Sequence, residues 1–266
     1  MIYLYKEYNA AYNLISLFLL IGFAVLALKF HMGMFTYLLL LIVVMILVFV
    51  IAGIFTRLTI TRIERKVVIH YNECRANQYL DEIKRLFGDK KLSRAVSTIY
   101  NSYLVRGYAV LDDFDSVYSC CQNITTKGYK GEYHKYMLQY YIKKDQLNLA
   151  MDEMNQLKLL IMQLKNKSYI NSLETYIKDA EYVIKIKNGD YEGAEEFYTG
   201  IINKSSPLYP ITKVSCSYAI GRLLMLKGET ERAKEYLQVA YAEGGDTKFK
   251  SLAEKLLKGE IEVAML

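Results

Sequence analysis

The chain has 266 residues, of which 53% are hydrophobic, with two prolines, four cysteines and a formal net charge of +6. This composition excludes a disordered or proline-rich linker protein, and four unevenly spaced cysteines exclude a disulfide scaffold. Residues 1–75 carry seven Lys/Arg against three Asp/Glu, a net of +4, whereas residues 76–266 carry 27 against 25, a net of +2. The basic excess is therefore concentrated at the N-terminal end.

The apolar residues concentrate there too. Between Glu7 and Lys29 lie 21 uncharged residues, and between Lys29 and Arg57 lie 27 more, including the run from Tyr37 to Leu47. About 20 apolar residues suffice for a helix to cross the hydrocarbon layer. Backbone groups in lipid must satisfy one another, so each run is expected as a helix. Two membrane helices, about 10–28 and 35–55, therefore make up residues 1–56. A cleaved signal peptide is the alternative for the first run, since Lys6 precedes it. No small-x-small cleavage site follows, however, and a second full-length run comes directly after.

Flanking charge predicts the orientation. The loop between the runs holds Lys29 and His31, whereas Arg57, Arg62, Arg65 and Lys66 follow the second run. Those four place their side, and with it both termini, in the cytoplasm of a cell membrane. They also lie within reach of anionic headgroups.

Residues 57–91 read as a juxtamembrane helical linker. Leu58-Thr59-Ile60-Thr61 and Val67-Val68-Ile69 are β-branched and leave a strand hairpin open. Against it, Ile60, Ile63, Val67, Tyr71 and Cys74 recur at three- and four-residue spacing, the helical signature. A further helix over Asn77–Phe87 is expected to stop at Gly88-Asp89.

Residues 92–266 contain four similar segments. They are Asp112-Asp113-Phe114-Asp115-Ser116-Val117, Asp145-Gln146-Leu147-Asn148-Leu149-Ala150, Gly189-Asp190-Tyr191-Glu192-Gly193-Ala194 and Gly228-Glu229-Thr230-Glu231-Arg232-Ala233. Each is a polar turn opening a helix with a small residue near its fourth position, and an amphipathic helix lies on either side. The small residue lets antiparallel helices approach closely. Spacings of 33, 44 and 39 between those residues require long middle helices, about 147–165 and 169–187.

This pattern resembles the tetratricopeptide repeat (TPR), a helix–turn–helix unit of about 34 residues. Ile220-Gly221, Leu224, Gly228, Ala233, Leu237 and Ala240 carry the clearest match, followed by Gly189-Asp190-Tyr191, Ala194, Tyr198 and Pro207. The first two segments depart from it: Val117 and Cys121 replace the usual alanine and aromatic, and Asp145 replaces the glycine. The likeness spans roughly 98–247, with 248–258 as a capping helix. A non-repetitive helical bundle is the rival reading. The expected fold is all-α: a transmembrane helical hairpin followed by a TPR-like α-solenoid of antiparallel helix pairs.

The resemblance implies a concave groove that holds a protein or peptide partner without catalysis. Its groove-facing candidates are Ser102, Arg106, Lys135, Gln139, Asp179, Tyr218 and Arg222. The two-lysine, two-asparagine carboxylate clamp of some family members is not recognisable. Asp112, Asp113 and Asp115 include an Asp-x-Asp that suits a divalent cation, but they sit where acidic residues favour a helix start. His31, His70 and His134 are scattered, and no phosphate loop, paired Cys-x-x-Cys or nucleophile elbow occurs. Cys120 and Cys121 point about 100° apart on a helix, unsuited to sharing a metal. No catalytic residue, metal or cofactor is expected. Near charge balance after residue 76 argues against nucleic acid as a partner.

The functional expectation is a membrane-anchored scaffold or adaptor that recruits a partner. The alternatives are a constitutive subunit of a membrane complex and, more weakly, an enzyme with a site near Asp112–Asp115. The Tyr, Ile, Lys and Asn richness suggests a bacterial source. In a cytosolic bacterial domain the sequons at Asn123 and Asn166 carry no consequence.

Overall fold

Apolar runs without proline propagate as helices, and the computed structural model is all-α among its described residues, which are 6–29, 34–87, 92, 94–207 and 209–261. The loop around His31 and the expected stop at Gly88-Asp89 lie outside them. The chain divides into two units, Met1–Val67 and Val68–Leu266.

The first unit pairs α1 (Lys6–Lys29) with α2 (Met34–Lys66). Phe23 lies 5.1 Å from Tyr37 and Tyr12 lies 6.3 Å from Phe55, ring centre to ring centre, so the helices run antiparallel. One described helix, beginning at Met34, is long and apolar enough to cross a membrane; the apolar part of α1, Ala11–Ala27, is shorter. Most of the exposed large apolar side chains of the described residues lie between Leu14 and Leu58. The second run continues as helix to Lys66, so Arg57, Arg62 and Arg65 are helical residues. The strand hairpin left open for 57–76 does not form, because regular backbone hydrogen bonding persists through Val67, which donates to Ile63.

The second unit contains α3 (Val68–Asn72), α4 (Ala76–Phe87), α5 (Arg94–Val110), α6 (Phe114–Gln122) and α7 (Lys130–Lys143). It continues with α8 (Leu147–Ile161), α9 (Lys167–Lys187), α10 (Ala194–Lys204), α11 (Pro210–Leu226), α12 (Thr230–Glu243) and α13 (Lys248–Lys258). Residues 68–87, expected as linker, are built into this unit. Tyr79, Leu80, Ile83 and Phe87 are buried, and the Tyr79 hydroxyl donates to the Tyr103 carbonyl at 2.9 Å.

The four turns share a left-handed helix stop, and the third adds a second left-handed residue, Gly193 with φ 72°, before α10 begins. Asp112, Asp145, Gly189 and Gly228 take left-handed backbones with φ of 64°, 58°, 81° and 79°. The next amide reaches back into the preceding helix each time: Asp113 to Tyr108, Gln146 to Tyr141, Asp190 to Lys185 and Glu229 to Leu224, at 2.9–3.1 Å. This is the bond of the Schellman stop, and aspartate tolerates the left-handed state better than most side chains. Val117, Ala150, Ala194 and Ala233, at the same offset after each turn, are fully buried. Close packing at the last pair is tightest at Gly221, where an added Cβ would stand 2.7 Å from Leu237 Cγ.

A contact between distant segments closes the unit. Asp246 accepts hydrogen bonds from the amides of Ala76 and Asn77, at 2.5 and 2.9 Å, and its own amide donates to the Cys74 carbonyl at 3.0 Å. A carboxylate there caps the exposed amides at the start of α4 and meets the positive end of its dipole. The approach is close enough that a side chain at Gly245, φ 56°, would strike the Cys74 carbonyl. Ile211 and Val214 of α11 bury themselves with Cys74, Ala76 and Val110 beside this clasp.

Two stability predictions follow from these contacts. Gly221→Val should cost about 1–3 kcal/mol by overpacking, whereas Gly200→Ala, with open space around it in α10, should stabilise by about 0.5–1 kcal/mol. Equal effects in denaturant titrations would refute the close crossing. Asp246→Ala should cost about 1 kcal/mol through the lost cap and speed amide exchange at Ala76 and Asn77. Unchanged exchange there would refute the clasp.

Candidate functional site

Polar residues of α7, α9, α11 and α13 meet in a recess. A cavity of about 820 Å³ is lined mainly by α7, α9, α11 and α13, a volume typical of small-ligand sites. Gln139, Asp179, Tyr218 and Arg222 all line it. Four of the seven groove candidates are thus brought to one place.

The other three are not. Ser102 is buried and donates its hydroxyl to the Ile99 carbonyl at 2.7 Å. Arg106 is enclosed by tyrosines: its guanidinium lies 5.7 Å from the Tyr71 ring and donates to the Tyr136 hydroxyl. Lys135 sits over the Tyr136 and Tyr176 rings, 3.7 Å from Glu132. Burial pushes the Tyr71 hydroxyl up to about 12, with Tyr136 adding to the effect and Arg106 opposing it.

The cavity wall includes charges that the sequence pattern did not single out. Lys143 and Lys248 share Asp112, at 3.0 and 3.4 Å, and Lys248 also lies 4.9 Å from the Phe114 ring centre. Lys187 pairs with Asp145 at 2.9 Å and donates to the Ile142 carbonyl at 3.1 Å. Asp179 accepts a hydrogen bond from the Tyr198 hydroxyl. In the sequence Tyr198 stands only as part of the repeat match and Lys248 only as the first residue of the capping helix. The one sequence signal for Lys248 was its place just after the Gly-Gly-Asp-Thr turn.

Burial sets the proton affinities here. It raises the Asp179 carboxyl above its ordinary value, with Tyr198 and Lys248 pulling the other way. It lowers the Lys248 ammonium, against Asp112. It pushes the Tyr218 hydroxyl up to about 12, opposed by Arg222. Of the buried polar atoms in the cavity lining, Arg222 Nε and Gln139 Oε1 have no hydrogen-bond partner among the described residues.

The Asp-x-Asp segment is spent on structure. Asp112 holds the turn and two lysines, Asp113 accepts from the Ser116 amide at 3.1 Å, and Asp115 lies 3.2 Å from Lys144. Among the described residues no group of three or more His, Cys, Asp or Glu side chains is placed to hold a metal. The four cysteines are free and buried, and burial raises the Cys74, Cys120 and Cys216 thiols to about 12. Thiols held that high are protonated and poor nucleophiles. In the first unit, Arg57, Arg65 and Lys66 are exposed and Arg62 is half-buried toward the end of α2.

No family model, curated protein or solved structure matches this chain.

The raised Asp179 carboxyl has a stability consequence. Its folded-state affinity for a proton exceeds the unfolded one, so ionised Asp179 disfavours the fold at neutral pH. That penalty fades as pH falls through the folded-state pKa. Asp179→Asn, which still accepts from Tyr198, should therefore raise Tm at pH 7 and narrow its lead over the wild type at pH 5. A lower Tm at pH 7 would refute it.

Proposed function

We propose that this protein is a membrane-anchored adaptor: α1 and α2 are both spans, and the helical domain is a TPR-like solenoid that holds a segment of a partner protein. The cavity carries the binding half of the reading, because four residues expected on a recognition face converge there around a ligand-sized space. The outward apolar surface of α1 and α2 supports the anchor. Such a surface is costly in water and matched in hydrocarbon. The shared turn geometry and the buried small residue after each turn support the repeat reading.

The basic residues Arg57, Arg62, Arg65 and Lys66 support an orientation with the end of α2, the helical domain and both termini on the cytoplasmic side of a cell membrane. Holding the cavity at a surface confines its partner there and raises its effective concentration. Recruitment is the mechanism, and no chemical step is assigned to the protein. The apolar exterior of the two spans also fits packing against other spans, and a constitutive subunit of a membrane complex is the second reading.

Two measurements test this. A reporter fused after Leu266 should be active only in the cytoplasmic form; activity only on the outer side would overturn the orientation. Copurification from detergent should recover a soluble protein below one-to-one stoichiometry. That protein should be lost when Ser172→Trp, an exposed position of the lining, fills the cavity. A one-to-one membrane partner retained by Ser172→Trp would establish the subunit reading instead.

A further inference from the structure

Seven charged side chains line the cavity, and four cations against three carboxylates leave an excess of one positive charge. The three lysines have carboxylate partners: Lys143 and Lys248 share Asp112, and Lys187 meets Asp145. Arg222 makes no ion pair among the described residues, and its Nε is buried without an acceptor. Gln139 Oε1, on α7, has the opposite deficiency, a buried acceptor without a donor. Polar atoms kept from solvent are costly to leave unmatched. A ligand that brings both an anionic group and an N–H or O–H removes both deficits.

The rest of the wall indicates the body of that ligand. Phe114, Tyr176, Tyr191, Tyr198, Tyr218 and Phe249 all line the space, from five helices and one turn. The Tyr218 and Phe249 rings stand 5.8 Å apart, centre to centre. Aromatic side chains pack offset or edge-on against other flat rings. A guanidinium presents parallel donors that match two oxygens of a carboxylate or a phosphate. A recess of about 820 Å³ with this lining suits a small molecule.

We propose that the cavity is a small-molecule site for a flat aromatic monoanion, a carboxylate or a phosphodiester. Its anionic group sits on Arg222, its ring lies among the tyrosines and phenylalanines, and an N–H or O–H is donated to Gln139 Oε1. One negative charge matches the excess on the wall, whereas a phosphate monoester, at about −1.5 to −2 near neutral pH, exceeds it. The inference goes beyond the adaptor reading and needs no partner protein. Within that reading, the bound anion excludes the partner segment, and its concentration controls recruitment.

The test uses the full chain in uncharged maltoside micelles, with retention read by equilibrium dialysis against empty micelles. One arm holds aromatic carboxylates with a donor, indole acetate and hydroxyphenylacetate. The other holds cyclic phosphodiesters with a base, cyclic AMP and cyclic GMP. The neutral counterparts are indole acetamide, hydroxyphenylacetamide, adenosine and guanosine. Hydroxyhexanoate supplies a monoanion with a donor and no ring. At least one arm should be retained about tenfold or more over its neutral counterparts and over hydroxyhexanoate, and the retained arm identifies the anion. Arg222→Gln should reduce that retention to the neutral level, Arg222→Lys should restore part of it, and Gln139→Leu should weaken it several-fold. Ser172→Trp should abolish it by filling the space, with melting curves verifying the fold of each variant. Equal retention of anions and neutral counterparts by the wild type would overturn the inference, as would equal retention of hydroxyhexanoate or retention of no compound. None of these outcomes bears on copurification of a partner, so the adaptor reading stands or falls separately. The comparison among compounds is made on the wild type and decides the matter even if Arg222→Gln fails to fold.

Discussion

One carboxylate joins segments near the two ends of the helical domain. Asp246 binds the first amides of α4 across 170 residues of sequence and receives no covalent help in doing so. Its energy is modest, but the apolar cluster beside it, from Cys74 and Ala76 to Ile211 and Val214, excludes water from the joint. Hydrogen bonds and burial act together there: the carboxylate sets the register and the apolar side chains hold it. Entropy favours open ends for a chain segment this long, so the contact persists only because both contributions are made at once. With the joint closed, α13 stays against α11, and both line the cavity.

The turns supply the local half of the same construction. Each places a left-handed residue, a backward hydrogen bond and a buried small residue in the same order. Two of the four positions use aspartate instead of glycine. At Asp112 the side chain is then available to neutralise Lys143 and Lys248, and at Asp145 to neutralise Lys187. A backbone requirement and a charge requirement are met by one residue.

Arg106 and Arg222 occupy comparable faces of α5 and α11, yet their surroundings differ. Tyr71, Tyr79 and Tyr136 enclose Arg106, and the Tyr136 hydroxyl accepts its hydrogen bond. Arg222 faces an open volume with its Nε unmatched. The first arginine is consumed by the packing of α3, α4, α5 and α7, while the second lines the cavity. Helical position alone does not distinguish them, because neighbouring helices decide which of two equivalent positions is covered.

Wherever the rule is local, the sequence determined the outcome by itself. Uninterrupted apolar runs dictate α1 and α2, and helical spacing from Ile60 to Cys74 dictates helix over strand. Four polar turns, each followed by a small residue, dictate where helix pairs reverse. Of the seven residues that the repeat resemblance implied for one face, Gln139, Asp179, Tyr218 and Arg222 line the cavity, while Ser102, Arg106 and Lys135 do not. Only the tertiary structure decided that residues 68–87 join the helical domain, that Arg106 is buried in tyrosine, and that Lys248 and Tyr198 help wall the cavity. Those outcomes depend on contacts between helices far apart in sequence, such as Asp246 with the start of α4 and Lys248 with Asp112, and no periodic pattern in the sequence records them.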